Sequence, residues 1–178
     1  MHWIDPQSLP ATRGVVAQIF ANGAGELDGL ILRNDQVVHF PPHLSDWVAK
    51  HVHVGDKVSI RGLKTRQAGS ITAVSISGKD GKSIVDEGPH NGTPGHKVLA
   101  RPIGPTETQG TVRSPIYGAK GEVHGALLDN GVVLRVAPHA ASSLADYLSQ
   151  GASIFASGAG LKGRYGYVIE VEELAHWI

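Results

Sequence analysis

Gly25-Glu26-Leu27-Asp28-Gly29-Leu30-Ile31-Leu32 returns, 96 positions later, as Gly121-Glu122-Val123-His124-Gly125-Ala126-Leu127-Leu128. The same offset carries Pro42-His43 onto Pro138-His139, Gly14 onto Gly110, Gly55 onto Gly151 and Gly62 onto Gly158. An offset that stays constant from Gly14 to Gly62 points to two copies of one small domain. The expected bounds are residues 1–78 and 108–178, joined by a Pro/Gly-rich linker at 79–107. Copies of this size sit near the low end for an independent core. Each is therefore expected to lean on the other or on the linker, and 84–85 and 98–100 are apolar enough to dock as an ordered strap.

Within each copy the hydrophobic period changes in a fixed order. Residues 12–20 are rich in β-branched and apolar side chains and read as a strand. Residues 29–32 and 37–40 are two short strands separated by Asn34-Asp35, whose counterpart is Asn130-Gly131. Asn-Gly supplies the positive φ angles of a two-residue hairpin. Pro41-Pro42 ends the third strand, because proline cannot donate to a ladder. Leu44, Trp47, Val48 and His51 then recur at helical spacing, as do Ala140, Leu144, Tyr147 and Leu148. A fourth strand is expected at 57–63, with Val58 and Ile60 inward and Lys57, Ser59 and Arg61 outward. Its twin places Ile154 inward, and a fifth strand is expected at 70–77 and again at 167–172.

Three strands, a helix and two strands is the order of the OB-fold, a five-stranded Greek-key barrel. Closure removes the exposed edges of so short a sheet. The expected fold class is all-β with one short helix per repeat, as two tandem OB-fold-like barrels; a small SH3-like barrel, which lacks that helix, is the alternative. The stretch Val38-His39-Phe40-Pro41-Pro42-His43, followed by a helix and by Val54-Gly55-Asp56-Lys57-Val58, resembles a group of uncharacterised bacterial OB-fold proteins described as nucleic-acid-binding. The second copy, Leu134-Arg135-Val136-Ala137-Pro138-His139, lacks one proline and the first histidine. The resemblance implies the fold and a generic binding role, and it assigns no active site to these residues.

Bulk composition narrows the function further. Lys plus Arg and Asp plus Glu are balanced at 16 each, so no global positive charge draws in nucleic acid. There are no cysteines, which excludes thiolate zinc sites, disulfides and thiol catalysis. No apolar run approaches the length of a membrane span. The start, Met1-His2-Trp3-Ile4-Asp5-Pro6, lacks the basic and apolar regions of a signal peptide. A cytoplasmic protein with no membrane contact is the expectation, and oligomeric state is not set by the sequence. Trp3 and Trp177, each within His-Trp-Ile, would seal a domain or dimer contact if the chain ends meet.

Candidate site residues follow from pattern and topology. His43 and His139 are the histidines at duplicated positions, each after a proline and before the helix. They are expected to organise the helix entrance through local backbone or packing. His39 and His43 do not suit one metal, because Pro41-Pro42 keeps four residues extended over about 12 Å, and no metal or cofactor is expected. Glu26 and Glu122 are duplicated but belong to different domains. Gly29, Gly62 and their twins are expected at bulges. The loop 21–25 lacks the Lys-Ser/Thr of a phosphate loop.

OB-folds bind across strands two and three, between the one–two and four–five loops. In the second copy those places carry Tyr117 and Lys120, Arg135, and Lys162, Arg164 and Tyr165. Alternation sends Arg135 outward if Leu134 and Val136 face the core. An aromatic platform beside cations is what single-strand binding needs. No Gly-x-Ser-x-Gly, His-Glu-x-x-His or Walker sequence occurs, so an enzyme is not expected. The sequence therefore points to a non-enzymatic module binding single-stranded DNA or RNA through its second barrel. The alternative is a protein- or glycan-interaction scaffold.

Overall fold

The computed structural model describes residues 5–64, 70–86, 100–117, 122–163 and 165–177. It is built of two OB-like barrels. The first contains β1 (Ala11–Ala21), β2 (Leu27–Leu32), β3 (Val37–His39), α1 (Ser45–His51), β4 (Lys57–Lys64), β5 (Ser70–Ser77) and a short β6 (Ser83–Val85). Its strand order is β3-β2-β1-β4-β5-β6, and a parallel β3–β5 pairing closes the barrel. The second contains β7 (Ala100–Tyr117), β8 (Val123–Leu128), β9 (Val133–Arg135), α2 (Ala141–Leu144), β10 (Ser153–Gly163) and β11 (Gly166–His176). It closes in the order β10-β11-β9-β8-β7, with β9 and β11 parallel. No helix among the described residues is long and apolar enough to cross a membrane.

Register repeats between the barrels. Val16 faces Leu32, and Val112 faces Leu128; Gly29 faces His39, and Gly125 faces Arg135. The irregularities repeat as well. Phe20 pairs with Gly29 and Ala21 with Leu27, so Asp28 is an extra residue in β2. His124 is the extra residue of β8 in the same way. Further bulges fall at Gly62 and Gly158, where the expected bends occur. The hairpins turn where expected, but through three-residue loops closed by Leu32–Gln36 and Leu128–Val132, with a single positive φ in each, at Asp35 (67°) and Gly131 (84°), instead of the pair that a two-residue type I′ loop needs.

Three further local features differ from the sequence reading. The second helix is a single turn, because Ser143 Oγ donates to the Ala140 carbonyl at 3.0 Å and Ala145–Leu148 tightens into a 3₁₀ turn. The second barrel begins inside the expected linker, since β7 starts at Ala100. Pro102 and Pro105 hid this strand. They are tolerated because that part of β7 pairs only with β10 and leaves its other edge unpaired until Val112. β11 runs on to His176, past the expected end at 172. Residues 83–85 do dock on the first barrel, through β5–β6 pairing, while 98–99 lie outside the described residues.

Two clusters of buried side chains result. Val112, Ala126, Leu128, Leu134, Val136, Leu148, Ile154, Ala156 and Ile169 fill the second barrel. The other cluster fills the first barrel but also takes in Ala100, Ile116, Leu127, Val133, Leu161 and Val168 from the second. The outward side chains of β8 and β9 therefore share a core with the first barrel.

Candidate binding surfaces

The surface that joins the barrels is the one expected to bind a ligand. Ile116, Leu127 and Val133 stand 96 positions after Phe20, Ile31 and Val37, and all six are buried in one cluster. Each barrel thus lays its second and third strands against those of the other. Consecutive apolar residues in β2 (Leu30-Ile31-Leu32) and β8 (Ala126-Leu127-Leu128) serve both faces of the strand: one side fills its own barrel and the other fills the interface.

Polar contacts inside this interface follow the same exchange of halves. Arg135 forms a bidentate pair with Asp28, Nη1 to Oδ1 and Nη2 to Oδ2, both at 2.9 Å. Its Nη1 also donates to the Ala21 carbonyl at 3.1 Å, and the guanidinium lies 5.7 Å from the centre of the Phe20 ring. His39 is the counterpart of Arg135, and Tyr117 of Ala21. His39 Nε2–H donates to the Tyr117 carbonyl, which can only accept. His124 is the counterpart of Asp28, and its ring meets His39 edge-on at 6.4 Å between centroids. The contact Arg135–Asp28 on one side becomes His39–His124 on the other. This is the pattern of an isologous, two-fold interface within one chain. Asp28 and His124 reach it because both occupy bulges, which re-aim a side chain.

The expected nucleic-acid groove is corrected by this arrangement. Leu134 and Val136 do face the second core and Arg135 does point outward, but outward is into the first barrel. Tyr117 is half-buried there and commits its carbonyl to His39. Tyr165 packs on the first barrel's cluster, and its carbonyl accepts from Gln18 Nε2 at 2.9 Å. Lys162 is exposed and holds its ammonium 5.5 Å from the Tyr167 ring centre. Lys120 and Arg164 lie outside the described residues. The six residues therefore do not form one open face among the described ones.

The duplicated histidines also separate in role. His43 Nε2 pairs with Asp86 Oδ1 at 2.7 Å, tying the turn before α1 to the strap after β6 rather than to local backbone. His139 is exposed and has no such partner among the described residues. Glu122 pairs with His124 at 2.9 Å, and Glu26 stands by Asn22. No group of three or more His, Asp or Glu side chains suited to a metal occurs among the described residues. Trp177 is exposed, and Trp3 lies outside the described residues.

Burial drives the His39 pKa below its ordinary 6.5, and His124 and Arg135 push the same way; the Tyr117 carbonyl and Asp28 oppose them. His39 is thus neutral in the folded chain where the unfolded chain already takes up its proton. Stability contributed by neutral His39 is fully present above about pH 6.5 and falls as pH drops below it, by at most about 1.4 kcal/mol per pH unit for one proton. Urea midpoints at pH 7.5 and 5.5 should therefore diverge more in the wild type than in His39→Gln. Equal divergence would remove His39 as the cause.

No protein-family model matches the chain, and no curated protein matches it. Among solved structures it is slightly similar to the single-stranded DNA-binding protein from Thermus aquaticus. The wild-type form shares 11% identity at a TM-score of 0.30, over 94% of this chain and 91% of that one. A deletion variant shares 10% identity at a TM-score of 0.30, over 94% and 93%.

Proposed function

We propose that the chain is a non-enzymatic interaction module whose two barrels act as one rigid unit, engaging partners by their outer faces. One observation carries this reading: the second and third strands of each barrel, where an OB-fold would meet its ligand, are buried against each other and pinned by Arg135–Asp28. Polar groups that could have converged on a ligand or a reacting atom are spent on holding the barrels together. The protein- or glycan-scaffold reading gains support from this, and a single strand lying across Tyr117, Arg135 and Tyr165 loses it.

Titration with labelled oligo-dT and oligo-U at low salt tests the reading. A stacking ring in a working groove is worth about 1–3 kcal/mol of binding. Tyr165→Leu is expected to leave any oligonucleotide affinity unchanged while lowering stability. A tenfold or greater loss of affinity in a variant that keeps its far-UV circular dichroism would overturn the proposal.

A further inference from the structure

The outer side of β1, β4 and β5 lies on a different part of the first barrel, and ladder register fixes what it presents. Arg13 pairs with Ser59, Ser59 with Ser77, and Ser77 with Ser83, giving one row across four strands. Val15 pairs with Lys57 in the next row, and Lys79 follows two residues beyond Ser77. Arg13, Lys57, Ser59, Ser77 and Lys79 line a groove of about 550 Å³ that no carboxylate lines. The three cations are exposed and pair with no carboxylate among the described residues. Carboxylates adjacent in sequence turn elsewhere. Asp56 Oδ2 accepts from the His53 amide at 3.0 Å, and Asp80 accepts from His51 and from the Lys82 amide, both at 3.0 Å.

The second barrel supplies the control. Its corresponding rows pair Gln109 with Phe155 and Ala175, and Thr111 with Ser153. The barrel closes equally well with no cation in these rows, so its topology does not call for the cations of the first. Glu107 and Glu172 also line a concave surface, of about 580 Å³. Two concave faces do not seat in one another, which disfavours a second copy as the occupant of the basic groove. A slender polyanion fits. Cations flanking serine hydroxyls suit phosphate oxygens, which accept from both. The groove has no aromatic lining for a base to stack on.

We propose that this groove binds the phosphate chain of a single-stranded nucleic acid, without regard to base sequence, through Arg13, Lys57 and Lys79. The inference goes beyond the interaction-module reading and fails separately from it.

Labelled oligo-dT and oligo-dA should bind the full chain at low salt with similar affinity. Three phosphate contacts imply a log–log salt slope near −2, at about −0.7 per contact on a single strand. Each of Arg13→Gln, Lys57→Gln and Lys79→Gln should flatten the slope by about 0.7, and the triple variant should lose at least tenfold in affinity. Inorganic polyphosphate should compete, because the site reads phosphate and not bases. Unchanged affinity in the triple variant, no binding at low salt, or failure of polyphosphate to compete would each sink the proposal. Self-association in sedimentation that the triple variant abolishes, with no oligonucleotide binding, would assign the groove to a second copy instead. Loss of binding in Tyr165→Leu alone would overturn the interaction-module reading; unchanged binding there, with loss in the triple variant, supports both.

Discussion

Arg135→Ala should cost the folded chain about 3 kcal/mol, the low end for breaking a buried pair by removing one partner. The Arg135 side chain is 22% exposed and that of Asp28 is 17% exposed, so both charges are largely withdrawn from water. The truncation removes both hydrogen bonds to Asp28 and the one to the Ala21 carbonyl, and leaves a carboxylate facing the apolar interface. Arg135→Lys should recover only part of the loss, because an ammonium cannot reproduce the two-pronged fit. Asp28→Ala should be comparably destabilising. The double variant should cost clearly less than the sum, since the two side chains form one unit. Urea unfolding provides the measurement. Wild type is expected to unfold in one transition, because side chains of both barrels share a cluster. A cost below about 0.5 kcal/mol for Arg135→Ala would mean that the pair is solvated and the barrels are not locked.

The features legible in the sequence were those set by local chemistry. Constant spacing gave the paired barrels, Asn34-Asp35 and Asn130-Gly131 gave the hairpins, and Pro42 and Pro138 marked the helix entrances. Alternation correctly turned Arg135 away from the second core. It could not say that a barrel waits on that side, because the partner surface is assembled from Phe20, Asp28, Ile31 and Val37, more than 90 residues earlier. The apolar runs carry one further signal. A strand with one wet face alternates, whereas Leu30-Ile31-Leu32 and Ala126-Leu127-Leu128 are unbroken apolar runs, which mark strands buried on both sides. β7 was hidden for the opposite reason. Pro102, Gly104 and Pro105 punctuate it like a linker, and only its single-sided pairing shows why a strand accepts them.

The two halves agree where geometry demands it and differ where it does not. Interior positions and bulges repeat, whereas the outer rows carry Arg13 and Lys57 in one barrel and Gln109 and Ser153 in the other. Interface positions fall between these extremes. Asp28 and Arg135 use charge, while His124 and His39 use rings at the matching places. Two copies held together by one intramolecular interface are free to differ in this way. A symmetric dimer, in which each residue meets its own image, would have to use the same residue at both sites.

Gly125→Ala is the substitution expected to test barrel geometry most severely. A Cβ built there falls on the carbonyl oxygen of Leu134 and lies 2.8 Å from its carbonyl carbon and 3.2 Å from Arg135 Cα. All three are backbone atoms of β9, so no side-chain rotation relieves the contact. β9 would have to move away from β8, disturbing the Gly125–Arg135 pairing and carrying Arg135 off its partners on the first barrel. Overpacking alone costs about 1–3 kcal/mol. With part of the ladder and the Asp28 pair lost as well, the expected total exceeds 3 kcal/mol, a fall in Tm of roughly 6–12 °C or more for a domain of this size. Gly29, its counterpart, abuts the Phe20 ring instead of backbone, so Gly29→Ala leaves a side chain that can yield and should cost less. Gly55→Ala is the control. No atom lies within 4 Å of its Cβ position, and only the positive φ of 94° is strained, which costs about 1–2 kcal/mol. If Gly125→Ala lowers Tm no further than Gly55→Ala, the close approach of β8 to β9 does not hold Arg135 in place, and the coupling between barrel packing and the inter-barrel lock is wrong.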